Sequence, residues 1–137
     1  MGITRSEYMR DFDRMNLLPY FPGRHMCADK FPMTPAKLAA RVIRPLLSGR
    51  TVILVGRSVA DAFGFKADWH DWVEWPVRRY CPVQRDAGRC LIAVVPHPSG
   101  RNHWYNKEEN RKEALTFWAD LRKDEVDTNK VLSFAGR

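Results

Sequence analysis

The sequence predicts an α/β domain, a three-layer α/β/α arrangement around a small, mainly parallel sheet. Two short apolar runs carry that expectation, Thr51–Val55 (TVILV) and Leu91–Val95 (LIAVV). Each is too short for a helix and nearly continuous in apolar residues, as strands covered on both faces are. The third observation is their setting. A helical pattern precedes the first run, a short one follows it, and a long one follows the second; such alternation builds parallel sheets.

The elements follow in chain order. Thr4 and Glu7 have the spacing of a capping box for a first helix, and Tyr8, Phe12 and Met15 recur at i, i+4 and i+7. Pro19 and Pro22 close this region, so Met15–Leu18 reads as a short strand. Residues 19–32, punctuated by Pro19, Pro22, Gly23 and Pro32, read as loop. A second helix is expected from Thr34 with Pro35 in its first turn. Its apolar face would be Ala39, Val42, Ile43 and Leu46, and Pro45 and Gly49 would stop it. After Thr51–Val55, Gly56 ends the strand, Ser58 is expected to cap a short helix, and Gly64 to end it. Such a strand–turn–helix unit can offer free N–H groups to a phosphate. Residues 65–81 read as irregular and Trp-rich, with Trp69 and Trp72 sharing one helical face as core aromatics. Asp86-Ala87-Gly88 reads as a turn between strands. Asn106, with Glu109 three residues on, is expected to cap the last helix, whose core face would be Ala114, Phe117, Trp118 and Leu121. Residues 124–137 read as a polar, loosely held tail.

A chain of 137 residues is expected to form a single domain spanning 1–137. No run approaches the ~20 apolar residues of a transmembrane helix, and MGITRSEYMRDF has charges where an export signal needs an apolar core. Cys27, Cys81 and Cys90 show no metal-binding spacing. They read as free thiols of a reducing compartment. The expectation is a cytoplasmic protein with no membrane partner, no metal and no cofactor. The net charge of +7 and a pI near 9.7 favour a polyanionic partner, nucleic acid above all.

The stretch most charged with chemistry is His97–Asn106 (HPSGRNHWYN). It is a Gly/Pro loop at the carboxyl end of the second apolar run, where open α/β folds place their ligands. This loop resembles motif B of the uracil-DNA glycosylase superfamily, with His97-Pro98-Ser99-Gly100 standing where that superfamily has an HPS or NPSG tetrad. Pro96–Gly100 matches the P-x-P-S-G run of its mismatch-specific branch. Val52–Phe63 (VILVGRSVADAF) is similar to the strand and helix that precede motif B. Phe12–Leu18 (FDRMNLL) is similar to the strand that presents an asparagine to the edge of an extruded pyrimidine. Asn16 matches that asparagine, and the resemblance spans roughly residues 12 to 121.

The resemblance implies a uracil-DNA glycosylase-like fold, DNA as partner, and cleavage of the N-glycosidic bond of a deaminated or modified pyrimidine flipped from the stack. It gives His97 the catalytic role of stabilising the departing base anion and Asn16 the reading of the base edge. Ser99 and Gly100 would approach phosphates. Arg101, Asn102 or His103 would form the wedge that fills the vacated stack, and Trp104 would stack on the nucleic acid or anchor the loop. Apart from the resemblance, Phe31 or Tyr20 is a candidate to stack on a base.

The chain departs from the superfamily in one respect. There an earlier strand ends in a motif that positions the attacking water, and no room for it exists before Phe12. Asp13 and Asp29 are the nearest carboxylates in sequence, although Asp13 and Asn16 would point to opposite faces of a strand. Two alternatives therefore stand beside a glycosylase. One is a base-recognition module that does no chemistry, and the other is an enzyme acting on free nucleosides or nucleotides. A sheet lacking its first strand would also leave an edge for a second copy or a partner chain to cover.

Overall fold

The computed structural model describes residues 3–18, 24–25, 28–29, 31–77, 88–98, 103–123 and 131–135. Helix α1 (Arg5–Asp11) leads into strand β1 (Asp13–Asn16), and β2 (Arg24–His25) and β3 (Ala28–Asp29) pair as a two-residue ladder. Helix α2 (Met33–Ile43) runs into a 3₁₀ turn at Arg44–Leu47. Then come β4 (Thr51–Val55), α3 (Arg57–Phe63), β5 (Val73–Pro76) and β6 (Arg89–Val95). A 3₁₀ turn (His103–Asn106), α4 (Glu108–Lys123) and β7 (Val131–Ala135) complete the chain.

The main sheet has the order β1-β7-β4-β6-β5. The first four strands are mutually parallel and β5 is antiparallel to β6. The protein is thus α/β with a mainly parallel sheet, as the two apolar runs predict. The period of two within β4 and β6 sorts the core into two layers. Val52, Leu54, Ile92 and Val94, with Phe134 of β7, face Ala36 and Ala40 of α2 and Val59, Ala60 and Phe63 of α3. Ile53, Val55, Ala93, Val95 and Val131 face Phe12 beside α1 and Phe117, Trp118 and Leu121 of α4. We call these the first and second faces.

The capping box of α1 forms as expected: Glu7 N–H donates to Thr4 Oγ1 at 3.2 Å and Thr4 N–H to the Glu7 carboxylate at 2.9 Å. Gly64 ends α3 in the left-handed conformation, φ +72°. The cap at the other end of α3 is Gly56 and not Ser58. Helix α4 begins at Glu108, because Asn106 closes the preceding 3₁₀ turn. Trp69 and Trp72 lie outside any helix, and part of the stretch expected to be irregular pairs with β6 as β5.

Two corrections are larger. Val42 and Leu46 are 65% and 73% exposed, while Ala36 and Ala40 are buried. Small side chains let α2 approach α3 closely, and Pro45, which cannot donate to the helical ladder, turns the chain into the 3₁₀ segment that buries Leu47. The guanidinium of Arg44 secures this end, donating to the Pro76 carbonyl at 2.8 Å and lying 3.6 Å from the Trp75 ring centre. The second correction is the tail. Val131–Ala135 is a strand inserted between β1 and β4, with Val131, Ser133 and Phe134 buried. Ser133 interrupts its apolar run, and the Ser133 and Tyr8 hydroxyls satisfy each other by a hydrogen bond. Burial raises the pKa of the Tyr8 phenol despite that bond. The sheet's outer strand on this side is β1, exposed at all four positions.

Cys90 is a buried free thiol, and burial pushes its pKa up. Cys27, Cys81 and the expected turn at 86–87 lie outside the described residues. No helix among the described residues is long and apolar enough to cross a membrane.

Candidate functional site

The four parallel strands all end at one edge of the sheet. From β4 the chain passes to α3 on the first face, and from β6 it passes to α4 on the second. Neighbouring parallel strands whose connections part in this way open a crevice beyond their carboxyl ends, the usual ligand position of open α/β sheets. Gly56 and His97 form its two lips. Gly56 has φ +98°, and a Cβ built there would lie 3.5 Å from the His97 Cβ and 3.9 Å from its Cδ2. Its N–H donates to the Val95 carbonyl at 2.8 Å, which carries the β4–β6 ladder to the lip itself. A glycine is required here by its positive φ, while the imidazole of His97 packs over the turn and stays exposed.

The loop that starts at His97 is fastened where it leaves and where it returns. The Tyr105 hydroxyl donates to the Pro96 carbonyl at 2.6 Å, and Asn110 Nδ2 donates to the Trp104 carbonyl at 2.7 Å. Burial pushes the Tyr105 phenol well above its ordinary pKa, so it remains a donor. Asn16 sits at the carboxyl end of β1, exposed and in register with Ala135. The next residues, Leu17 and Leu18, are buried, and Leu17 N–H donates to the Ala135 carbonyl at 3.0 Å. Asn16 and His97 therefore occupy the same edge on the first and fourth of four consecutive parallel strands. Three strand spacings separate their backbones by roughly 14 Å.

The other expected site residues divide. Asp13 lies at the amino end of β1, roughly 10 Å of strand from Asn16, and pairs with Arg50 at 3.6 Å. The structure thus takes it away from the crevice. Asp29 lies on β3 opposite Arg24, described by its backbone alone. Phe31 is half-buried against the first-face core, the position of a packing residue. His103 is exposed, its Nδ1 3.2 Å from Asn106 Nδ2. Trp104 is half-buried, with ring centres 5.2 Å from His70 and 5.0 Å from Tyr105, and so anchors the loop. Tyr20, Ser99, Gly100, Arg101 and Asn102 lie outside the described residues.

Sequence reasoning missed His70. It is a non-glycine residue at φ +65°, its side chain 5% exposed. Its N–H donates to the Val94 carbonyl at 2.9 Å and its ring packs between Trp104 and Phe117. Nδ1 lies 3.0 Å from Glu113 Oε1. Burial lowers the His70 pKa, and the Glu113 carboxylate opposes that shift in part. The only local signal was a histidine within the tryptophan-rich WHDW (69–72). Its partner stands 43 positions away.

Among the described residues no group of three or more His, Cys, Asp or Glu is disposed to hold a metal ion. No protein-family model, curated protein or solved structure matches the chain.

Proposed function

We propose that the protein is a uracil-DNA glycosylase-like protein that takes a deaminated or modified pyrimidine, flipped from DNA, into the crevice and cleaves its N-glycosidic bond. The observation that carries this reading is the shared edge of Asn16 and His97. A separation of roughly 14 Å between backbones leaves room for two side chains and a pyrimidine between them. Asn16 offers a donor and an acceptor, as a pyrimidine edge requires. His97 would donate toward a ring carbonyl as the C1′–N1 bond breaks and its electron pair leaves with the base. Water would add its oxygen to C1′ and release a proton, so the products are the free base and an abasic sugar. The chain's net charge of +7 favours the approach of a polyanion.

A second reading is favoured by the placement of Asp13. A carboxylate expected to position water is instead ion-paired at the far end of β1. A protein without that group would bind a flipped base and leave it intact. One experiment separates the readings. DNA duplexes carrying uracil, a mismatched thymine or a 5-modified pyrimidine are incubated with the wild type, His97→Ala and Asn16→Ala. Base release that falls by about 10²–10³ in His97→Ala supports hydrolysis. Binding without release supports the base reader. Neither binding nor release removes both.

A further inference from the structure

The helices of the second face leave part of the sheet bare. Beside α4, Trp72, Leu91, Phe117 and Leu121 line a groove of about 650 Å³. Leu91, near the amino end of β6, is 40% exposed, with no helix among the described residues covering it. Trp72 stacks on Phe117, ring centres 5.3 Å apart and 18° from parallel, which makes one wall a flat aromatic surface.

The charged groups of the groove share one sign. Asp71, Glu113 and Asp120 contribute three carboxylates beside the hydroxyls of Thr51 and Thr116, and among the described residues no lysine or arginine lines it. The chain as a whole has 23 Lys and Arg against 16 Asp and Glu, so the sign is locally reversed. His70, also a lining residue, adds to this. A carboxylate can only accept, so Nδ1 donates to Glu113. In the neutral ring Nε2 is then an acceptor, and it is buried with no partner among the described residues. The groove thus presents carboxylates that can only accept, and the buried His70 Nε2 behind them has no donor among the described residues.

We propose that this groove binds a small organic cation, an ammonium or guanidinium on a short apolar stem. Asp71, Glu113 and Asp120 face its charge, and Trp72, backed by Phe117, offers a ring face to its stem. The volume lies within the range of small-molecule sites. Aromatic rings beside carboxylates are the chemistry that selects organic cations over neutral ligands. The protein already uses half of it: the Arg57 guanidinium lies 4.0 Å from the ring centre of Trp69, another lining residue. Phosphates are repelled here, so the site is independent of the crevice at the sheet edge.

Agmatine, which carries both cationic groups on an aliphatic stem, is the probe. The full chain is titrated at an ionic strength of about 0.15 M and followed by amide and indole NMR signals. Saturable shifts at Trp72, Leu91 and Leu121, absent with neutral N-pentylacetamide, are expected. The exposed Asp71 and Asp120 can be changed together, Asp71→Asn with Asp120→Asn, and affinity should fall at least about tenfold. The proposal is overturned by equal binding of the neutral analogue, or by undiminished binding in the double variant. It is also overturned by no saturable shift up to about 10 mM agmatine, a Kd weaker than most specific sites. Binding of an oligoarginine peptide where agmatine fails would mark a protein-docking surface and overturn it too.

Discussion

The crevice between β4 and β6 and the groove beside α4 use opposite materials. The crevice is made by backbone: the positive φ of Gly56, the ladder bond to Val95, and the Pro96 carbonyl held by Tyr105. The groove is made by side chains drawn from segments far apart, with His70 and Trp72 meeting Glu113 and Phe117 of α4. A site formed by strand ends inherits its place from topology. A site formed by side-chain convergence exists only once the whole chain has closed.

The comparison can be broken by four substitutions, taken from the largest expected effect. Phe134 is fully buried against Phe63, ring centres 5.4 Å apart. Phe134→Ala should cost about 3–5 kcal/mol in urea unfolding. A loss below ~1 kcal/mol would contradict the central place of β7. Gly56→Ala must hold a side chain at φ +98°, a strain of about 1–3 kcal/mol. It should move the His97 signals and leave those of Trp72 unchanged, and a variant as stable as the wild type would refute the strained turn.

His70→Asn probes the groove wall, since asparagine tolerates the left-handed φ of this position. The pKa of His70 is lowered in the folded state, so the unfolded chain takes up the proton first. The contribution is complete above the ordinary imidazole value of about 6.5 and is lost as pH falls through the folded value. Unfolding midpoints of wild type and variant should therefore converge toward acid pH. Parallel curves from pH 8 to 5 would dismiss His70 as the titrating group. The smallest effect belongs to Thr4→Ala, about 1 kcal/mol from loss of the α1 cap. It should leave the NMR signals of crevice and groove in place, and displacement of either would tie that region to α1.

Of the local readings, the strands and the first cap hold, whereas the caps expected at Ser58 and Asn106 do not form. β4 and β6 declare themselves as buried runs, and Thr4 and Glu7 as a cap. The HPSG loop necessarily follows β6, so His97 at the carboxyl edge was legible. The burial of α2 was legible only in part: Ala39 and Ile43 pack against the core as expected, whereas Val42 and Leu46 stay exposed. Hydrophobicity alone favours the large side chains, whereas close approach to α3 favours Ala36 and Ala40.

The sequence by itself determined the alternation of strands and helices, the turn at Gly56 and the charge that favours a polyanion. These depend on neighbouring residues and on composition. Only the tertiary structure decided that β7 enters the sheet between β1 and β4, that Asp13 faces Arg50, and that His70 meets Glu113. Each joins residues at least 37 positions apart. Their contacts offset the entropy of chain closure only in concert, so no short window of sequence contains them.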